Sequence, residues 1–482
     1  MRFHYSSIVL LLITFVAIVL LYDFPALWQQ LPQGSHLWRQ ADCWAMTENY
    51  QQFNLPFLKP EVYNLQAING KSVGEFPLTY FIAAQFSNAV FALRFLHTFL
   101  FFVGIMATYF IAFFFLQRRF LALCASLLLL TSPLLIFYGN NFLTDVPALA
   151  FSYIAWAIFL YAVAKQNNLL LLFSFVFFTI AGLLKASQAL NIIIASAFFL
   201  IQQKEQIRKK PPIAFLLFFM LSFAVLVLWY AFAKRYNYMH HDKYFFLNLF
   251  PVWKLSAYDI GLGAWRMAIS WSNNYFWRPT LLLLLIGLGY FIYHRNKLDK
   301  SLLQIISLSI LFTLVYIILF YQKLIGHEYY YTFFFIAFLF IIIGILKTYN
   351  TFHAENIFAH TVLFLLLLLN FILCKQEVAS KQLDSRNNPF YGTIAFHECL
   401  ETLGVDENKI ILSLPDDSPN KTLSLLRRKG YTAFNDYRSI LQNRQADFLI
   451  LGNEDWKDNK TLLKYLTDSI GAYQNITIYK LK

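Results

Sequence analysis

Charge is scarce in this chain. Only 13% of its 482 residues are Asp, Glu, Lys or Arg, while 59% are hydrophobic and 53 are phenylalanine. The apolar residues come in continuous runs, several approaching twenty, so the short alternating segments of a β-barrel are absent. What remains is a polytopic α-helical membrane protein, in which helices satisfy every backbone group inside hydrocarbon. Cysteine is scarce too. Cys43, Cys124, Cys374 and Cys399 are scattered with no CxxC pair, which excludes a disulfide framework and a zinc cluster. The first 22 residues lack a small-x-small cleavage site and therefore read as an uncleaved first span.

What is present is a ladder of about eleven spans, near 6–22, 91–115, 120–138, 146–164, 169–184, 187–201, 213–232, 279–294, 302–321, 330–347 and 357–374. The fifth and sixth are short and separated only by "KASQ", so they could form one hairpin inside the protein. The short basic loops "LQRRF", "KEQIRKKPP" and "YHRNKLDK" share one side, which the positive-inside rule makes cytoplasmic. The N-terminus is then inside. The 23–90 loop, the 233–278 loop and everything after residue 375 are outside.

From residue 375 onward the chain holds 15 Lys/Arg and 14 Asp/Glu, so nearly all of the +13 net charge belongs to the membrane part. Cations at the bilayer surface suit lipid head groups or phosphate-bearing substrates. The tail has no basic stripe, which argues against nucleic acid. It reads as a small α/β domain: "KIILSLPDD", "ADFLILGNEDW" and "NITIYKL" as strands, and "SPNKTLSLLRRKG" as a helix stopped by Gly430. Asp416 and Asp417 fit a strand-to-helix turn, and no Gly-rich phosphate loop is present. The tail reads as an accessory domain (375–482) beside a membrane catalytic domain (1–374). Its sequons at Asn420, Asn459 and Asn475 would matter only in a eukaryotic secretory setting.

The chemistry must then lie in the membrane part. Its first outer loop is rich in Trp, Tyr, Phe and Pro, a composition that packs. "CWAMTENYQQF" and "PLTYFIAAQFSNAV" can form interfacial helices, the second with Pro77 in its first turn.

Three stretches carry a resemblance. "WRQADCWAMTENYQQFNLPFLKP", "GEFPLTYFIAAQF" and "GHEYYYTFF" at 326–334 resemble multi-pass glycosyltransferases of the GT-C fold, in the pattern of bacterial relatives of the protein O-mannosyltransferases and of the lipid A aminoarabinose transferase. The likeness spans the first 350 residues or so in order. It implies a polyprenyl-phosphate sugar donor, a glycan, lipid or protein acceptor, and an acidic catalytic base in the first outer loop. Asp42 is that candidate. Phosphate is already a good leaving group, so one carboxylate that takes the acceptor's proton is enough.

Each candidate also has a plainer reading. Asp42 could cap a helix. Arg39 could anchor the interface beside Trp38, or pair with phosphate or with Asp42. Asp145, in "NNFLTDVPALAF", suits a helix N-terminus and could equally support the site; Glu75 is similar. Lys185, between two apolar runs, needs a partner such as a phosphate. His327, Tyr329 and Tyr330 could contact substrate or form an aromatic belt. Arg266, Lys243 and His240–His241 read as solvated loop. The aminoarabinose-transferase pattern has a lysine where this chain has Phe76, so Lys185, Arg39 or a metal must meet the phosphate. Asp42, Glu75 and Asp145 could ligate a divalent cation, though nothing in their spacing requires one.

Rival classes are a polyprenyl-linked lipid transporter, a scaffold or sensor, and a polysaccharide polymerase or ligase. No second copy of "WRQAD" or "EFP" is present, against the repeats a transporter usually shows. The polar, aromatic first loop argues against a scaffold.

Overall fold

A computed structural model describes residues 5–209, 212–245, 249–353, 357–382, 391–452, 456 and 459–482. Helices occupy every one of the apolar runs. Among the described residues six of them are long and apolar enough to cross a membrane: Ala89–Leu116, Asp145–Lys165, Ile213–Met239, Lys300–Gly326, Glu328–Thr351 and His360–Gln382. A seventh exists if Arg119–Leu130 and Pro133–Gly139, bent by 68°, count together. Tyr5–Leu21, Asn168–Leu184 and Ala186–Gln202 are apolar but shorter.

Eleven crossings are therefore not confirmed, and the reasons are local. Ser132 and Pro133 start a new helix where one long span was expected, because Pro at a first helical position suits a start and not an interior. Lys185, with extended backbone, ends the Asn168–Leu184 helix before a short 3₁₀ turn at Ala186–Ala189. The last long helix, Ile357–Gln382, runs eight residues beyond the apolar stretch that marks it in the sequence.

Side chains at the ends fix several boundaries. Asn88 accepts from Phe91 N at 3.0 Å and Asn167 from Leu170 N at 3.0 Å, each satisfying a backbone donor at its helix start. Inside the bundle, small residues set the approach. A Cβ on Gly104 would lie 2.7 Å from that of Ala150, so only glycine lets Ala89–Leu116 meet Asp145–Lys165 so closely.

The first long loop folds into the protein instead of lying flat on lipid. Its helix Leu37–Gln52 is buried from Gln40 to Tyr50, between the bundle and the tail. The second expected helix is only Leu78–Ala84, with Pro77 at its N-cap, and a new helix begins at Ala89.

The tail forms a five-stranded sheet in the order β2-β1-β3-β5-β4. β1 (Ile411–Leu414), β2 (Gly430–Thr432) and β3 (Phe448–Leu451) are parallel, while β5 (Ile476–Leu481) runs antiparallel to β3 and to β4 (Leu466–Tyr473). β1 and β3 are wholly buried, as parallel strands covered on both faces are. Gly430 opens β2 and does not stop a helix; the Lys421–Leu426 helix ends earlier, at Arg427 in the left-handed region. Asp416 does organise the strand-to-helix turn, accepting from Ser418 N and Thr422 N at 2.9 and 2.8 Å.

The sheet's β2 edge does not face water. Gly430 N donates to Tyr63 O at 3.0 Å and Leu65 N to Gly430 O at 2.9 Å, so the first loop extends the sheet. Ala45, Val62 and Tyr63 join the tail's own apolar core with Phe396, Leu423 and Ile450. Arg427–Glu48 at 2.7 Å and Lys429–Glu61 at 2.9 Å flank this seam. The tail and the first loop are one packed unit.

Candidate active site

Between the bundle, the first loop and the tail lies a cavity of about 1580 Å³, larger than most drug-sized pockets. Leu183, Leu184, Phe76, Trp229 and Ala233 give it an apolar side. Arg39, Glu75, Lys185, His327, Glu328 and Lys323 give it a charged one.

The helix Leu37–Gln52 places Arg39 and Asp42 three residues apart on one face, with Arg39 Nη1 3.4 Å from Asp42 Oδ2. The other arm of the guanidinium, Nη2, lies 2.9 Å from Glu75 Oε1. Glu75 also lies 3.5 Å from Lys185 Nζ, and its second oxygen accepts from Tyr80 and Thr144 at 2.7 and 2.9 Å. Lys185 completes the chain at 2.9 Å from Asp145 Oδ1, beneath the rings of Tyr329 and Tyr330 at 5.1 and 5.0 Å. Four separate parts of the chain thus bring Asp42, Arg39, Glu75, Lys185 and Asp145 into one network. Tyr330 lies against it, and His327 lies beside Tyr329, their ring centroids 5.3 Å apart.

Electrostatically the two loop carboxyls part company. Burial pushes Asp42 up to about 6, against the pull of Arg39 and of hydrogen bonds from Asn420 and Tyr244. Burial acts on Glu75 as well, but Arg39 and Lys185 together overcome it and hold Glu75 well below the usual carboxylate range. Burial, with His36 and Lys323 nearby, brings His327 down to about 4, a neutral imidazole.

Several partners escaped the sequence reading. Asn420 Nδ2 donates to Asp42 Oδ1 at 2.9 Å and Tyr244 Oη to Oδ2 at 3.1 Å. Asn420 is fully buried, and its Oδ1 accepts from Asn64 N at 3.0 Å, which fixes the amide so that its donor faces Asp42. A residue noted only as a sequon is therefore a partner of the candidate base, and the tail reaches Asp42 through it. Glu328 forms a second charged centre, pairing with His36 and lying 2.8 Å from Lys381, with Tyr138 donating at 3.1 Å. Lys323 meets no carboxylate among the described residues; its ammonium sits over the Phe250 ring at 4.4 Å.

The donors around Asp42 and Asp145 are ammonium, guanidinium, amide and phenol groups. Among the described residues no three His, Cys, Asp or Glu side chains converge as metal ligands. Arg266 and His240 bond backbone carbonyls and stay outside the network.

Comparison with known proteins matches this architecture. Residues 77–230 fit the family model described as dolichyl-phosphate-mannose-protein mannosyltransferase, a stretch that includes Asp145 and Lys185 but not Arg39, Asp42 or Glu75. No curated protein matches the chain in sequence. Two solved structures of ArnT from Cupriavidus metallidurans match it in fold, each at 11% identity and over 97% of both chains. The apo form gives a TM-score of 0.63, and the form bound to undecaprenyl phosphate gives 0.53. The chain has the fold of ArnT over 97% of its length.

Proposed function

We propose that the protein is a membrane glycosyltransferase that moves a sugar from a polyprenyl phosphate to an acceptor hydroxyl. The observation that carries this reading is the Asp42–Arg39–Glu75–Lys185–Asp145 network at a cavity with one apolar and one charged side. Leu183, Leu184, Trp229 and Ala233 suit a prenyl chain, and Arg39, Lys185 and Lys323 suit its phosphate. Glu75 and Asp145 keep Arg39 and Lys185 charged and in place. The acceptor oxygen attacks the anomeric carbon and loses its proton as the phosphate leaves with the bonding pair, and Asp42 is the base that ends protonated. A carboxyl near 6 is ionised at neutral pH yet basic enough to take that proton. The undecaprenyl phosphate held by one ArnT structure is consistent with such a donor.

The charge pattern favours transfer on the outer face. The first loop and the tail share one side because they share a core, and Arg118, Arg119, Arg295 and Lys297 lie at the opposite ends of their helices. A reporter fused after residue 390 is expected to be active only outside the cytoplasm, and one near Lys209 only inside.

The enzymatic test uses proteoliposomes, undecaprenyl-phosphate mannose, glucose and aminoarabinose as donors, and native envelope extract as acceptor. The wild type should transfer at least one sugar, and Asp42→Asn should do so about a hundredfold or more slowly at unchanged protein level. Failure of all three donors, or normal turnover by Asp42→Asn, would contradict the proposal. Lys323→Ala, which breaks no ion pair among the described residues, should raise the donor KM with kcat little changed.

A further inference from the structure

Asp42 does not itself reach the cavity. Its side chain is 1% exposed, and it is absent from the described residues that line the space, whereas Tyr244 is among them. The Tyr244 hydroxyl donates to Asp42 Oδ2 at 3.1 Å, while Asn420 occupies Oδ1. Two polar groups, Arg39 and Tyr244, join Asp42 to the cavity, and of the two only the tyrosine hydroxyl can both take and give a proton.

Its ring is held from several directions. It stacks on Trp38 at 16° with centroids 6.2 Å apart, and meets Phe434 edge-on at 5.2 Å. Its backbone N–H donates to Asp242 Oδ1 at 2.8 Å. A hydroxyl fixed in this way spends its one proton on Asp42 and, with the Trp38 indole N–H beside it, keeps one lone pair to accept another proton. Burial and the neighbouring Asp42 raise the Tyr244 hydroxyl further above its ordinary value, so a free phenolate is not a resting state and any transfer through it must be concerted.

Building on the proposed transferase reading, we infer that Tyr244 relays the acceptor's proton to Asp42. As the acceptor oxygen bonds to the anomeric carbon, its O–H bond breaks and the proton passes to Tyr244 Oη. The original Tyr244 proton moves to Asp42 Oδ2, and the bond from the anomeric carbon to the phosphate oxygen breaks with its electron pair leaving on the phosphate. Tyr244 ends as it began, Asp42 ends neutral, and it returns the proton to water after product leaves. Tyr244 touches the acceptor; Asn420 and Arg39 position the carboxylate behind it.

The test is Tyr244→Phe, which keeps the ring and its stacking and removes only the hydroxyl. With whichever of the three undecaprenyl-phosphate sugars the wild type uses, kcat should fall about 10²–10⁴-fold, the scale of lost proton transfer, while donor KM stays within a few-fold. A second measurement needs no variant. The wild-type rate against deuterium fraction in the solvent should bow downward, because two protons move in one step. If Tyr244→Phe keeps near-normal kcat, or the wild-type plot is a straight line, Asp42 takes the proton directly and the relay is wrong. Asp42→Asn separates the two ideas: an inactive Asp42→Asn beside an active Tyr244→Phe removes the relay alone, whereas an active Asp42→Asn removes the base on which it rests.

Discussion

Asp42 and Glu75 are both buried carboxyls, and both take hold of the same guanidinium, that of Arg39. Their titration nevertheless runs in opposite directions. Asp42 has one cation at 3.4 Å and two neutral donors, Tyr244 and Asn420; burial prevails and the group sits near 6. Glu75 has Arg39 at 2.9 Å and Lys185 at 3.5 Å, and the second cation outweighs burial. Separated titration of neighbouring carboxyls is how proteins divide roles between chemically similar groups. Here Asp42 can accept and release a proton near neutral pH, while Glu75 is a permanent anion that holds two cations toward the cavity.

The comparison can be broken first at Glu75. Glu75→Ala takes a counter-charge from two buried cations at once, leaving Arg39 only Asp42 and Lys185 only Asp145 among the described residues, so it should cost about 3–5 kcal/mol of stability, read as a fall in the detergent-solubilised protein's unfolding temperature. Asp42→Asn should do the reverse, keeping the unfolding temperature and the donor affinity while kcat drops about a hundredfold. A destabilised Asp42→Asn, or a stable but inactive Glu75→Ala, would exchange the two roles.

Asn420→Ala sharpens the same contrast from the tail. It removes a hydrogen bond that favours the ionised form of Asp42, so the pH below which activity fails should move upward, and kcat at pH about 6 should fall about tenfold. Asn64→Ala loosens the same seam without touching Asp42; if it moves the pH profile equally, Asn420 acts through folding and not through the carboxylate. The smallest effect is expected at Arg427→Ala. Arg427 is half exposed, and its partner Glu48, raised to about 7 chiefly by burial, can take up a proton when the arginine is gone. The loss should stay within about 1 kcal/mol in an unfolding titration.

These tests also mark where sequence reasoning stopped. The pairing of Arg39 with Asp42 follows from three-residue spacing on a helix, and the need of Lys185 for a partner follows from its place between two apolar runs. Both are local properties. Asn420 lies 378 positions from Asp42, and nothing in "SPNKTLSLL" distinguishes it from a turn residue. Tyr244 sits in "HHDKYF", whose charges look solvated, yet its ring stacks on Trp38. Glu328 stands inside a quoted motif, but its partners His36 and Lys381 come from opposite ends of the membrane part. The helices were legible as apolar runs, while their bends and lengths depended on Pro133, Lys185 and packing. Gly430 looked like a helix stop because glycine often is one. At that place a Cβ would lie 2.0 Å from the Ile411 carbonyl oxygen, so close strand pairing is what requires it.

The most direct test of the Asp42 assignment is the pH dependence of kcat/KM for sugar transfer by the wild-type enzyme. A base must be ionised before it accepts a proton, and Asp42 is held near 6, so the rate should be level above that pH and fall about tenfold per unit below it. The Asp42→Asn variant's residual rate should show no such limb. A wild-type profile that stays level well below pH 6, or a limb near 6 that persists in Asp42→Asn, would contradict the account.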